Sequence, residues 1–473
     1  MNGTSREAVD LNVFRERARH ALADPFLQKA LKGATAHFRE GREKALAELP
    51  DADALRDQLK AIREATLARL ADYLVAFEQK ATAAGARVHW ARDGMEAANI
   101  VISIAQRHGV RLAVKSKSMT SEEIRLNEAL RAAGIQPVET DLGEWIVQLA
   151  GESPSHIIAP AVHKTRQQVA ELLSREVGRP LPPDDIPALA AEARRVLRRY
   201  FLSAQMGISG ANLAVAETGS VVLVTNEGNG RLVTSAPPIH VVIMGIEKIV
   251  PTWEDAAVWL SLLARSATGQ PLSVYTSIIT GPARADEIDG PEEVHIILLD
   301  NGRSHYIGTS YEEVLQCIRC GACLNVCPVY RKVGGHAYGS PYSGPIGAVI
   351  SPLLFGLDAF SGLPQASTLC TACLDVCPAR IDLPRMLIDL REEVVERGLI
   401  SRRETTVERG VAWLLRHSRL YEWVSRLLRW ILKPWTRNGY VSLPFLLKMT
   451  RGRQVPAPAP KTFRRLWREG DGV

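Results

Sequence analysis

"CIRCGACLNVCP", residues 317–328, holds three cysteines separated by two residues each, then a fourth after three residues, directly before a proline. In this Cys-x2-Cys-x2-Cys-x3-Cys-Pro run, short turns wrap three thiolates around one cubane iron–sulfur cluster, and the fourth is turned away. Gly321 leaves the backbone N–H groups free to approach sulfur. Structural zinc takes four ligands, usually as two separated pairs, and has no use for a third x2 cysteine or an x3-Cys-Pro step. Iron–sulfur ligation is the better reading.

A second run follows. "ASTLCTACLDVCP", residues 366–378, carries Cys370, Cys373 and Cys377, but Ser367 stands where a first cysteine belongs. In two-cluster chains the fourth cysteine of each run serves the other cluster. That exchange gives cluster one Cys317, Cys320, Cys323 and Cys377, a complete [4Fe–4S] set. Cluster two receives Cys327, Cys370 and Cys373, one thiolate short. Ser367, solvent, another side chain or a partner subunit can complete a [4Fe–4S] cluster there; without the fourth iron it is [3Fe–4S]. An open position distinguishes catalytic from closed structural metals, but a three-thiolate site that only relays electrons is the plainer expectation.

All seven cysteines fall between Cys317 and Cys377, which in a reducing compartment favours ligation over disulfides. The N-terminal "MNGTSREAVDLNVF" lacks an apolar signal core, so the expected location is cytoplasmic. The long uncharged run at residues 338–357 is interrupted by four glycines and three prolines and does not read as a membrane span. At 473 residues the chain suggests two or three domains. Beyond residue 400 there are 16 Lys+Arg against 5 Asp+Glu, a local +11 in a chain of net +6, so the body is mildly acidic and the tail basic.

Outward from the cysteines, four segments are expected: 1–80 helical, 81–305 α/β, 306–400 an α-helical ferredoxin-like domain, and 401–473 a basic helical tail. In the first, Leu55, Leu59, Ile62, Leu67, Leu70, Leu74 and Phe77 recur near helical spacing. In the second, "ARVHWA", "VRLAVKSKS" and "IQPVET" read as strands alternating with helices, hence a mostly parallel sheet. One intervening helix, "TSEEIRLNEALRAAG", carries a capping box of Thr120 and Glu123. "ANLAVAETGSVVLVTNEGNGRLVTS" reads as two or three strands, and "IHVVIMGI" and "VHIILLD" as doubly covered ones. "TSYEEVLQCIRC" reads as a helix leading into the cysteines.

Taken together these residues resemble the LutB-type lactate-utilization iron–sulfur proteins, a LUD domain fused to an α-helical ferredoxin. The likeness runs through "VKSKSMTSEEIRLNEAL", "GISGANLAVAETGSVVLVTNEGNGRL" and "CPVYRKVGGHAYGSPYSGPIG", and the three-cysteine second run looks like the family's own pattern. The resemblance implies a part in oxidising L-lactate to pyruvate, with this chain as electron carrier. It also implies a Cys-rich companion subunit, a smaller LUD protein, and a first domain similar to the NagB/ribose-5-phosphate isomerase/CoA-transferase-like fold. A redox-sensing or scaffolding protein is the alternative from another class. A third reading has the LUD domain itself bind substrate beside an open cluster iron.

Within the α/β half, Lys115, Ser116, Lys117 and Ser118 follow a strand and open a helix, where a carboxylate or phosphate can bind. Glu217, Thr218 and Gly219 sit at a turn with Asn226 nearby, and His156 and His163 flank "IIAPAV". Each is as readily a cap, turn or surface residue, and His336 reads as loop chemistry. No Gly-x-Gly-x-x-Gly occurs, so no nicotinamide or flavin site is indicated. In the tail, Leu420, Trp423, Val424, Leu427, Leu428 and Ile431 share one helical face, with Arg419, Arg426, Arg429 and Lys433 on the other. Such a helix suits a partner or self-packing first. Peripheral contact with the inner face of the membrane, on the quinone side, ranks second, and nucleic acid is not expected.

Overall fold

The computed structural model describes residues 7–400, 402–441 and 455–470. The chain forms two compact units, Met1–Val394 and Val395–Val473. No helix among the described residues is long and apolar enough to cross a membrane.

Among its described residues the first unit contains ten strands: β1 Arg87–Ala91, β2 Leu112–Lys115, β3 Gln136–Glu139, β4 Met206–Ser209, β5 Leu213–Val215, β6 Ser220–Thr225, β7 Ile239–Gly245, β8 Ile249–Val250, β9 Tyr275–Ile279 and β10 Glu293–Leu299. Six of them form a wholly parallel sheet in the order β1-β10-β7-β4-β2-β3. Every residue of β7 is buried, which is why its sequence is nearly all apolar. One apolar cluster joins Val101, Ile104, Leu126 and Leu130 to Ile208, Val241 and Ile297. Another joins Val114 and Val138 to Trp145, Leu173, Leu189 and Phe201. β8, β5, β6 and β9 form a second, mixed sheet.

Helices α1 Leu11–Ala23, α2 Pro25–Ala47, α3 Ala52–Ala68 and α4 Leu70–Ala83 precede the strands. Asp10, Asp24 and Asp51 cap the first three with their carboxylates. α2 packs on the helix Trp253–Thr268 of the α/β part and also on Ala322–Val326 of the cysteine region. The N-terminal helices therefore fasten both parts of the first unit together.

Several local expectations are corrected. The helix expected after β2 is two, Met119–Glu123 and Leu126–Ala132, because Arg125 adopts a left-handed conformation (φ 54°) between them. Its cap is Ser118, which accepts from Ser121 N, rather than Thr120. The Glu123 carboxylate is held instead by Arg303, Asn301 and Tyr342. "NGRLVTS" is a helix, Asn229–Ser235, rather than a third strand; Val233 is buried and its carbonyl lies against Gly207 of β4. The approach to the cysteines is a 3-10 turn, Glu312–Gln316, since Arg63 of α3 takes the Leu315 carbonyl that a helix would have used. β4 and the helix Leu142–Ala150 had no counterpart in the sequence reading.

In the second unit, Arg402–Arg416 and Ser418–Leu432 are helices, and no residue of the latter is buried. Trp423, Leu428 and Ile431 are exposed on it.

Candidate metal centre

The first cysteine run is a turn followed by the short helix Ala322–Val326. Two left-handed residues, Arg319 (φ 59°) and Gly321 (φ 74°), flank Cys320 and reverse the chain around it. At 321 glycine answers two demands, since a Cβ would also lie 3.3 Å from His156 Cε1 and 3.3 Å from Ile158 Cγ1. Cys317, Cys320, Cys323 and Cys377 line one small cavity, walled otherwise by apolar groups such as Ile318, Ile346, Ile381 and Leu383. The last cysteine of the second run thus meets the first three of the first.

The second run repeats the first at the backbone level. Leu369 (φ 53°) and Thr371 (φ 64°) flank Cys370 as Arg319 and Gly321 flank Cys320, and the helix Ala372–Asp375 follows at the same offset. In the first run Arg319 N donates to Cys317 Sγ at 3.4 Å; in the second Leu369 N donates to Ser367 Oγ at 3.1 Å. Ser367 therefore occupies the position and makes the turn contact of a first cysteine. Cys327, Cys370 and Cys373 form the remaining group. Burial first, then repulsion from Cys327 and Cys370, pushes the Cys373 thiol up to about 12. Burial likewise raises Cys327, with Cys370 adding to it.

The donor set fits iron–sulfur clusters on two grounds. All seven thiols are free, and burial holds Cys320 up to about 12 and Cys377 up to about 11, so bare thiols there are neutral. Only a metal in the cavity makes the thiolate the favoured form. The surroundings also carry basic side chains, one of them, Arg56, with Asp53 as its carboxylate partner at 2.8 Å. Arg56 donates to the Cys377 carbonyl at 2.9 Å and the Asp375 carbonyl at 2.6 Å, and Arg42 to the Val376 carbonyl at 2.8 Å. Lys248 reaches the Cys317 carbonyl at 3.3 Å, and Arg63 the Leu315 carbonyl at 3.1 Å. Several buried cations aimed at carbonyls of the cysteine turns suit an anionic cluster between them. Neither these four residues nor Arg319 were singled out from sequence. The signal lay in charges spaced along helices that also had to be buried, which periodicity alone does not reveal.

The candidates of the α/β part divide. Lys115 is sealed in an ion pair, 2.5 Å from Glu139 and 2.7 Å from Asn127, away from any ligand. Ser116, Lys117 and Ser118 line a larger cavity, and Ser118 is also a helix cap. Glu217 accepts from Trp253 N at 2.7 Å, and Thr218 bonds Ser220 at 2.9 Å. Gly219 (φ 70°) lets β6 begin against α4, since a Cβ would sit 2.2 Å from Ala81 N. Asn226 bridges Gln270 and Val274 N. His156 is a fully engaged core residue: it accepts from Ile158 N and Ala159 N and meets Asn325, between two cluster cysteines, at 3.1 Å. Burial lowers it to about 4. His163 bonds Glu152 at 2.7 Å and its ring lies 4.5 Å from that of His336, which in turn bonds the Ser153 carbonyl at 2.7 Å.

Comparison with known proteins places this geometry. Residues 74–299 match the LUD domain, and residues 313–381, which contain all seven cysteines, match the 4Fe-4S dicluster domain. The chain is 43% identical over 459 residues to lactate utilization protein B of Oceanobacillus iheyensis, covering 96% of each chain. The chain belongs to the lactate utilization protein B family. To that family's member in Bacillus subtilis it is 42% identical over 464 residues, again 96% of each chain. It is also 44% identical over 409 residues, 86% of each, to an Escherichia coli protein described as an uncharacterized electron transport protein, YkgF. As a member of the family the chain is an iron–sulfur protein with a parallel-sheet LUD core followed by a ferredoxin-like region.

Proposed function

We propose that this chain is the iron–sulfur electron carrier of a system oxidising L-lactate to pyruvate. One observation carries the reading: Cys377 completes the cavity of Cys317, Cys320 and Cys323, so the runs exchange their last cysteines and hold two neighbouring clusters. The relatives' names, lactate utilization and electron transport, supply the pathway. Cluster one is [4Fe–4S]; cluster two is held by Cys327, Cys370 and Cys373, with Ser367 at its fourth corner.

When bound, such clusters pass electrons one at a time, and two together accommodate the pair that lactate releases. The chain's residues bury cluster one among Ile318, Ile346 and Ile381, which excludes water. Arg56 and Arg63 would offset the charge of a cluster bound there. Cys370, exposed, leaves cluster two nearer solvent and is the natural exit toward an acceptor. The remaining parts of the reading are a Cys-rich companion and a smaller LUD protein as partners, and a cytoplasmic location, with the basic tail suited to a partner or self-packing first and to the membrane face second. Segments at 1–80, 81–305, 306–400 and 401–473, and a first domain of the NagB/ribose-5-phosphate isomerase/CoA-transferase-like kind, complete it.

Cys320→Ala tests the assignment. We expect it to lose cluster one, about four irons per chain by cluster stoichiometry, and electron relay, while far-UV circular dichroism still reports the folded sheet. Unchanged iron and electron transfer would refute it.

A further inference from the structure

A cavity of about 370 Å³ lies in the first unit, at the carboxyl ends of the central strands of the parallel sheet. Ser116, Lys117 and Ser118 follow β2, Gly210 and Asn212 follow β4, and Glu247 and Lys248 follow β7. β7, β4 and β2 are neighbours in the sheet. The carboxyl edge of an open α/β sheet is where such folds bind small molecules, and the volume falls in the range of small-ligand sites.

Its far wall comes from the cysteine region. Ile157, Ile318 and Arg319 line both this cavity and the one formed by Cys317, Cys320, Cys323 and Cys377. A molecule in the larger cavity is thus one residue layer from cluster one. Ser367 is not among the walls of this cavity, so a substrate site beside cluster two is not what the geometry offers.

The lining holds donors without acceptors. Arg319 is 9% exposed, and neither Nη1 nor Nη2 has a hydrogen-bond partner. Tyr342 lies under its guanidinium at 4.8 Å, and Glu247, 3.6 Å away, is already paired with Arg303 at 2.7 Å. Ser116 Oγ is likewise buried and unpartnered. Lys117 spends one donor on the Ile158 carbonyl at 2.6 Å and faces Asp141 and Glu227 in the same wall, and Lys248, which burial lowers to about 7, spends one on the Cys317 carbonyl; each amine keeps further N–H donors. The rest of the wall includes Leu223, Leu263, Ala264 and Ala267. The Nη2 edge of the guanidinium leans on Glu247 Oε1, whereas Nη1 has no partner and is free to donate to a ligand carboxylate, and the aliphatic side suits a short carbon body.

We propose that this cavity binds a small organic carboxylate, anchored by Arg319 with Ser116, Lys117 and Lys248 around it, beside the turn that holds cluster one. That the ligand is a 2-hydroxy or 2-oxo acid rests on the electron-carrier reading; the anion site does not. It is a site on the carrier itself, so substrate or product contacts the same chain that moves its electrons.

The test uses the full chain, reconstituted anaerobically, with iron counted and binding followed by calorimetry against L-lactate, pyruvate and inorganic phosphate. L-lactate or pyruvate is expected to bind and phosphate not. Arg319→Gln should weaken the carboxylate at least tenfold and Arg319→Lys less. Ser116→Val, which lies off the cysteine turns, should weaken it severalfold with iron unchanged. Because the variant at 319 borders cluster ligands, Ser116→Val decides if that protein fails to assemble. Full iron with no binding, equal binding by wild type and Ser116→Val, or phosphate binding as tightly as the acids would each overturn the site. Failure of the carrier reading shows differently, as a chain without iron whatever the calorimetry reports.

Discussion

Residue 367 shows how much one side chain can change without altering the backbone around it. Leu369 and Thr371 hold left-handed conformations that non-glycine residues seldom adopt, so the turn is shaped by something other than local preference. Its first position is serine, and the N–H of residue 369 still finds an oxygen where the first run offers sulfur. Since the frame is already built for a thiolate, Ser367→Cys should place Sγ at the fourth corner without refolding the turn. We expect that variant to reconstitute with about eight irons per chain, the complement of two full cubanes. Its second cluster should also resist loss of iron to oxidant better than that of the wild type. Iron and sulfide counting with electron paramagnetic resonance before and after oxidation checks both. A drop in iron, or a lost second-cluster signal, would mean that the corner is filled by something serine permits and cysteine blocks.

At the scale of elements, the helices before the sheet prove as important to the centre as the cysteine turns. α3 presents Arg56 and Arg63 along one side, and both guanidinium groups end on carbonyls of the cysteine region. Arg56→Met keeps the helix and the aliphatic stem but orphans the Asp375 carbonyl, at about 1–3 kcal/mol for a buried group, and leaves the Cys377 carbonyl with Arg380 N alone. The expected result is a folded protein whose cluster one bleaches faster under chelator, followed by its visible absorbance, with cluster two less affected. Equal bleaching rates in variant and wild type would reduce Arg56 to a surface-packing role. These contacts explain what could be read from the sequence and what could not. The spacing of the thiols and the alternation of strands with helices are local, and a single chain displays them. The break at Arg125, the 3-10 turn before Cys317 and the duties of Glu123 and Arg63 depend on residues far away in the chain. Tertiary partners overrode propensity there. The same holds for Lys115 to Ser118: four polar residues in a row are alike on paper, but the sheet buries Lys115 against Glu139 and opens Ser116 and Lys117 to a cavity.

Across the first unit as a whole, the sheet and the cysteine region are joined by a buried charge network rather than by apolar contact alone. Arg303 bonds both oxygens of Glu123, at 2.8 and 2.7 Å, and pairs with Glu247 at 2.7 Å. Tyr342, from the loop between the cysteine runs, donates to Glu123 at 2.6 Å. Desolvation alone would raise both carboxyls, yet the surrounding cations hold Glu123 below its usual range and Glu247 down to about 2. Both are therefore charged at neutral pH and depend on Arg303. Arg303→Met leaves two buried carboxylates short of their main partner, a loss of about 3–5 kcal/mol for a broken buried pair. Because the network spans both parts, its removal should also uncouple them. In the wild type, loss of cluster absorbance and loss of far-UV ellipticity on heating should coincide. In the variant the cluster signal should fall several degrees earlier, with the sheet melting afterward. Two transitions that remain superimposed at a lower temperature would mean that the parts are held together chiefly by the N-terminal helices, with Arg303 contributing stability but not the coupling.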